Sequence, residues 1–117
     1  MEKNTGVKRI IYASQYSWQG LKAALANEAA FRQEFAAFIL LTITTFFFDI
    51  SGIEQAAMII SLIFVLVVEI LNSAIECVVD RVSTERHTLS GRAKDYGSLA
   101  VFMAIIIVVL TWSAILF

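Results

Sequence analysis

The sequence has 117 residues, 59% of them hydrophobic, no proline and a formal net charge of −1; its mean hydropathy is +0.78. A water-soluble domain this short has too little interior to hide so much apolar surface, so the composition excludes an ordinary soluble globule and implies a single membrane-embedded domain over residues 1–117. The lone cysteine, Cys77, excludes an intrachain disulfide framework.

From Val7 to Leu25 the bulky residues Val7, Ile10, Ile11, Trp18, Leu21 and Leu25 recur near helical spacing, with Lys8, Arg9, Gln15, Gln19 and Lys22 mostly between them. This pattern predicts an amphipathic surface helix over 5–27, lying in the headgroup region of a bilayer with Tyr16 and Trp18 at the boundary. It shows no cationic start, short apolar run and small-residue cleavage site, so the segment is expected to stay in the mature protein.

Phe35 to Phe48 carries no charge and ends at Asp49. With the preceding turn it predicts a first membrane span over 29–49. Ser51-Gly52-Ile53-Glu54 has the spacing of a capping box and opens a second span over 54–80. The uncharged run Gly97–Phe117 anchors a third, over 90–117. The expected fold is therefore all-α, a surface helix followed by three transmembrane helices.

The nine basic residues fall in two groups, Lys3, Lys8, Arg9, Lys22 and Arg32 before the first span and Arg81, Arg86, Arg92 and Lys94 between the second and third. Basic residues mark the cytoplasmic side, so the N-terminus and the second loop are expected to face the cytoplasm, and the C-terminus the periplasm.

Within the second span Glu69, Asn72 and Glu76 project from one helical face, with Ser73 and Asp80 continuing the stripe. An ionisable residue near the centre of a span costs ~2.5 kcal/mol or more, so these groups must face protein, water or metal. Two acids and an amide suit metal or proton chemistry; a structural polar stripe joining helices is the alternative. Glu28 and Glu34 stand where the chain turns from the interface into the first span. The loop residues Arg86, His87, Gly91, Arg92, Lys94 and Asp95 combine cations and glycine backbone for phosphates with an acceptor for ribose or water. No P-loop or dinucleotide fingerprint is present, but phosphoryl transfer asks for positioning, divalent metal and cationic charge more than for one fold.

Three segments, Asn27-Glu28-Ala29-Ala30-Phe31-Arg32-Gln33-Glu34, Glu69-Ile70-Leu71-Asn72-Ser73-Ala74-Ile75-Glu76 and Ser90-Gly91-Arg92-Ala93-Lys94-Asp95-Tyr96-Gly97-Ser98, closely resemble the prokaryotic integral-membrane diacylglycerol kinases. The resemblance extends over nearly the whole chain. It implies a homotrimer with composite sites near the cytoplasmic boundary of the bacterial inner membrane, which phosphorylate diacylglycerol to phosphatidic acid with ATP for lipid recycling. By matching position, Glu69 resembles the base that prepares the lipid hydroxyl, Asn72 orients it or the substrate, and Glu28 and Glu76 resemble the ligands of the Mg²⁺ that carries ATP. The same resemblance brings Tyr16, Ser17, Glu85, Arg86, His87, Gly91, Lys94 and Asp95 to the nucleotide, and Arg9, Trp18, Arg32, Glu34 and Ser98, with Glu69, to the lipid. Cys77, Tyr96 and Leu99 depart from the family's pattern, none of them in the acidic stripe. Two other readings are an undecaprenol kinase of the same fold and a non-catalytic oligomer whose Glu69 and Glu76 line a polar path.

Overall fold

The computed structural model describes residues 5–82, 85 and 87–117. Four helices follow in order, α1 (Gly6–Asn27), α2 (Ala29–Thr45), α3 (Gly52–Val82) and α4 (Thr88–Leu116), and no strand forms among the described residues.

The break between α1 and α2 is a single residue. Glu28 is extended, at φ −113° and ψ 102°, yet its N–H still donates to Ala24 O at 2.9 Å and its carbonyl accepts from Arg32 N at 3.1 Å. Helix ends leave carbonyls without intrahelical donors. Here Arg32 folds back over the elbow, and its Nη1 donates to Leu25 O at 3.0 Å and Ala26 O at 3.1 Å. Ala24 and Phe31 are buried on either side of the bend, and the ring of Phe31 leans on Phe35 with centroids 5.8 Å apart.

α2 ends at Thr45, four residues before the Asp49 boundary expected for the first span. The cause is local: Thr44 Oγ1 and Thr45 Oγ1 each donate to a carbonyl three residues back, at 2.6 Å, which competes with the helical ladder in a β-branched stretch. The chain then tightens through Phe46 N→Ile43 O and Phe47 N→Thr44 O. α3 starts on the expected capping box, with Glu54 N donating to Ser51 Oγ at 3.1 Å and Ser51 N donating to Glu54 Oε1 at 3.0 Å. Gln55 Nε2, in the first turn of α3, donates to the buried Thr45 Oγ1 at 3.0 Å and so ties α3 to the end of α2.

The buried residues of α3 are Met58, Ser61, Leu62, Val65, Glu69 and Asn72. Met58, Leu62, Val65, Glu69 and Asn72 alternate four and three residues apart, the spacing of one helix face packed along a neighbour. That face is apolar up to Val65 and polar from Glu69 onward. Opposite it, α4 offers small side chains: Gly97 and Ala104 are its buried residues, and small residues let two helix backbones approach closely. Contacts at three heights fix the antiparallel register. Trp112 Nε1 donates to Met58 O at 3.2 Å, Gly97 lies against Asn72, and Lys94 Nζ meets Asp80 Oδ1 at 2.8 Å.

Among the described residues, α3 and α4 are the helices long and apolar enough to cross a bilayer. With 31 and 29 residues they extend about 46 and 44 Å at the usual rise, against a hydrocarbon core of about 30 Å. The excess emerges at their joined polar ends. α2 has 17 residues, about 25 Å, at the lower limit for a span.

Candidate active site

The polar half of the α3 seam gathers most of the chemistry. Glu69 is 6% exposed and Asn72 is 8% exposed; both sit where the buried face of α3 turns from apolar to polar. Glu34, on α2, brings its carboxyl beside that of Glu69, and its Oε2 is buried with no hydrogen-bond partner. One turn further along α3, Asn72 Nδ2 donates to Glu76 Oε1 at 3.0 Å. That bond fixes the rotation of the half-buried Glu76 carboxylate and leaves its remaining lone pairs for other ligands. From α4, Lys94 sits close enough to feel the charge of Glu76 while it is paired with Asp80. The ion pair is 45% and 63% exposed, so it contributes little stability by itself. Its effect is to hold the Lys94 ammonium near Glu76, at the end of the acidic row.

Glu34, Glu69, Asn72, Glu76 and Lys94 thus form one continuous cluster. Of the other expected site residues, several serve local structure. Glu28 is the half-buried elbow between α1 and α2. Arg32 clamps that elbow. Arg9, Tyr16, Ser17 and Trp18 lie exposed along α1; Ser17 Oγ donates to Ala13 O at 2.9 Å, and Lys22 Nζ stands 5.9 Å over the Trp18 ring. His87 caps α4, its Nδ1 accepting from Leu89 N at 3.0 Å, a role the loop composition did not suggest. Glu85, Gly91, Asp95 and Ser98 are exposed near the α3–α4 connection, and Arg86 lies outside the described residues.

Sequence reasoning missed two contributors. In the sequence Gly97 is one residue of a family-like segment at the start of an uncharged run, with no role of its own, and Asp80 is the tail of the stripe. Each acts through a partner on the other helix, which no local pattern reveals.

On the bilayer side the cluster opens into an apolar groove of about 230 Å³ between α2, α3 and α4, lined by Glu34, Phe38, Leu62, Val65, Ile105 and Val108 among others. A half-buried Glu34 lining an apolar groove, beside the buried Glu69 and followed by Glu76, Asp80 and Lys94, suits a reaction joining a lipid headgroup to a charged water-soluble reactant.

Residues 15–116 match the model of the family described as prokaryotic diacylglycerol kinase. The chain belongs to that family. It is 54% identical over 112 residues to a diacylglycerol kinase of Escherichia coli K12, covering 96% of this chain and 92% of the relative. A diacylglycerol kinase of Haemophilus influenzae is 53% identical, with 100% of this chain and 99% of the relative covered. For one of Pseudomonas aeruginosa the figures are 50%, 96% and 91%. The resemblance drawn from the three sequence segments is confirmed, and the match takes in the polar seam, the elbow and the start of α4. A prokaryotic diacylglycerol kinase is a membrane enzyme, in keeping with the two apolar helices.

Proposed function

We propose that this chain transfers the γ-phosphate of ATP to the hydroxyl of diacylglycerol, forming phosphatidic acid in the bacterial inner membrane for lipid recycling. The observation that carries the reading is Glu69: a carboxyl only 6% exposed, beside Glu34, which itself lines the apolar groove. An acyl chain lying in the groove brings a glycerol hydroxyl toward Glu34 and Glu69. Glu69 takes the hydroxyl proton as the lipid oxygen attacks the γ-phosphorus; the bond from that phosphorus to the bridging oxygen breaks and ADP departs. Asn72 holds the row in register through its bond to Glu76. Lys94, near Glu76, supplies positive charge for the phosphates with Arg86, while His87, the Gly91 backbone and Asp95, as an acceptor for ribose or water, stand around the nucleotide. Tyr16, Ser17 and Glu85 complete the nucleotide side, and Arg9, Trp18, Arg32 and Ser98 the lipid side.

Glu28 and Glu76 offer hard carboxylate oxygens of the kind Mg²⁺ prefers, and Asn72 already orients Glu76. When bound there, Mg²⁺ neutralises phosphate charge in the transition state. The chain crosses the membrane three times and works as a homotrimer with shared sites. Val7, Ile10 and Trp18 of α1 are 73%, 67% and 60% exposed, and Leu71 and Val78 on α3 are 59% and 64% exposed, apolar faces open to lipid and to neighbouring subunits. The basic residues of the N-terminal segment through Arg32, and those from Arg81 to Lys94 around the α3–α4 connection, support a cytoplasmic site.

The test is ADP release by the purified protein in lipid discs without a lipid alcohol, with diacylglycerol, and with undecaprenol. Release that depends on diacylglycerol is expected. Faster release with undecaprenol would transfer the reading to the isoprenoid alcohol, and none with either would favour a non-catalytic polar path.

A further inference from the structure

Asn72 makes one of its hydrogen bonds, from Nδ2 to Glu76, while Oδ1 is buried without a partner. A buried amide oxygen left unpaired is costly, so packing must hold the side chain there. The surface that does so is the backbone of α4 at Gly97. That residue is buried, and a Cβ built on it overlaps Asn72 Oδ1 and comes within 2.9 Å of Cγ. The other four glycines have nothing within 4 Å of such a Cβ. Gly97 is helical and its φ is not positive, so backbone freedom is not what calls for glycine here. The missing side chain is.

We infer that Gly97 is a positioning residue of the kinase site: by leaving the space of one methyl group empty, α4 seats the Asn72 amide in the rotation that presents Nδ2 to Glu76. The inference rests on the reading of Glu76 as a Mg²⁺ ligand. Any side chain at residue 97 pushes the Asn72 amide off its seat. An amide at the end of a short side chain can swing away, so the expected outcome of Gly97→Ala is a displaced Asn72 and a loosened Glu76 rather than a lost fold. Misplacement of a site group by about 1 Å is worth on the order of 10²-fold in rate.

The experiment compares wild type, Gly97→Ala, Asn72→Ala, the Gly97→Ala/Asn72→Ala double variant and Gly52→Ala, a control whose added methyl meets open space. For each, kcat and the Mg²⁺ concentration for half-maximal rate are measured with diacylglycerol, and the ¹⁵N-edited spectrum of the Asn72 side-chain amide is recorded where that amide remains. Gly97→Ala should lower kcat at least tenfold, raise the Mg²⁺ requirement, leave the KM for diacylglycerol within about twofold and shift the Asn72 amide signal, all by the displacement argument. In the Asn72→Ala background it should add nothing, because the clash is gone.

Wild-type kcat and an unmoved amide signal in Gly97→Ala would overturn the inference, as would full additivity in the double variant. If Gly97→Ala alone does not fold, a double variant that folds and matches Asn72→Ala supports the seat, whereas one that also fails shows Gly97 is needed for helix packing at large. Absence of turnover in wild type would instead refute the kinase reading. In that case the amide shift still decides whether Gly97 seats Asn72.

Discussion

Replacing Glu69 by glutamine keeps the volume and polarity of a side chain buried to 6% exposure and removes its capacity to take a proton. Loss of general-base catalysis is usually worth 10²-fold or more, so kcat of Glu69→Gln should fall by at least about that factor while Mg-ATP affinity, measured by equilibrium binding, stays near wild type. A variant keeping more than about a tenth of wild-type kcat would make Glu69 structural. The shared polar face of Glu69, Asn72 and Glu76 was legible in the sequence because an acid inside an apolar run needs a reason, and helical periodicity put the three on one side. Gly97 was not legible. Its importance lies in what Asn72 touches across a helix pair, and a glycine at the head of an uncharged run looks the same whether its missing side chain is needed or not. The bonds of Arg32 to Leu25 O and Ala26 O were not legible for a related reason: they exist only because the chain bends at Glu28.

The elbow between α1 and α2 sets where Glu28 stands relative to the α3 seam, and Arg32 is the side chain closing it. Arg32→Ala should therefore loosen the last turn of α1, seen as faster amide exchange from Ala26 to Ala29, and raise the Mg²⁺ requirement several-fold, with Arg32→Lys intermediate because an ammonium lacks the guanidinium fork. Unchanged exchange would show that Phe31 and Ala24 packing holds the bend unaided. At the opposite end, Trp112→Phe keeps a ring against Phe48 but loses the donor to Met58 O; a stability loss of about 1 kcal/mol is expected in detergent unfolding. The helices themselves were largely readable: the surface helix agrees within a residue, and the capping box formed as its spacing required. The end of α2 was not. Threonine hydroxyls that bond back to carbonyls at Thr45 stop the helix before Asp49, a competition hydropathy does not register.

At the scale of the molecule, a single chain leaves α1 open and much apolar surface of α3 and α4 uncovered, and a site shared among subunits follows if those faces meet in an oligomer. Glu28→Ala, Glu76→Ala, Lys94→Ala and Glu69→Gln proteins, unfolded, mixed in pairs and reassembled, should then yield at least one active pair, through sites that receive neither lesion. Inactivity of every pair, with mixed oligomers shown by crosslinking and wild type refolding in parallel, would confine each site to one chain. Topology has its own test: in a Cys77→Ala background, a cysteine replacing Ser90 should label from the cytoplasm and one replacing Ser51 from the periplasm. The reverse pattern would put the cluster where no ATP is present. Above all these stands the identity of the product. Wild-type protein in lipid discs, given Mg-ATP labelled in the γ-phosphate and diacylglycerol, should place the label in phosphatidic acid, one lipid phosphate for each ADP released. Label recovered as inorganic phosphate, or left in ATP, would contradict a lipid kinase built on the Glu69 seam.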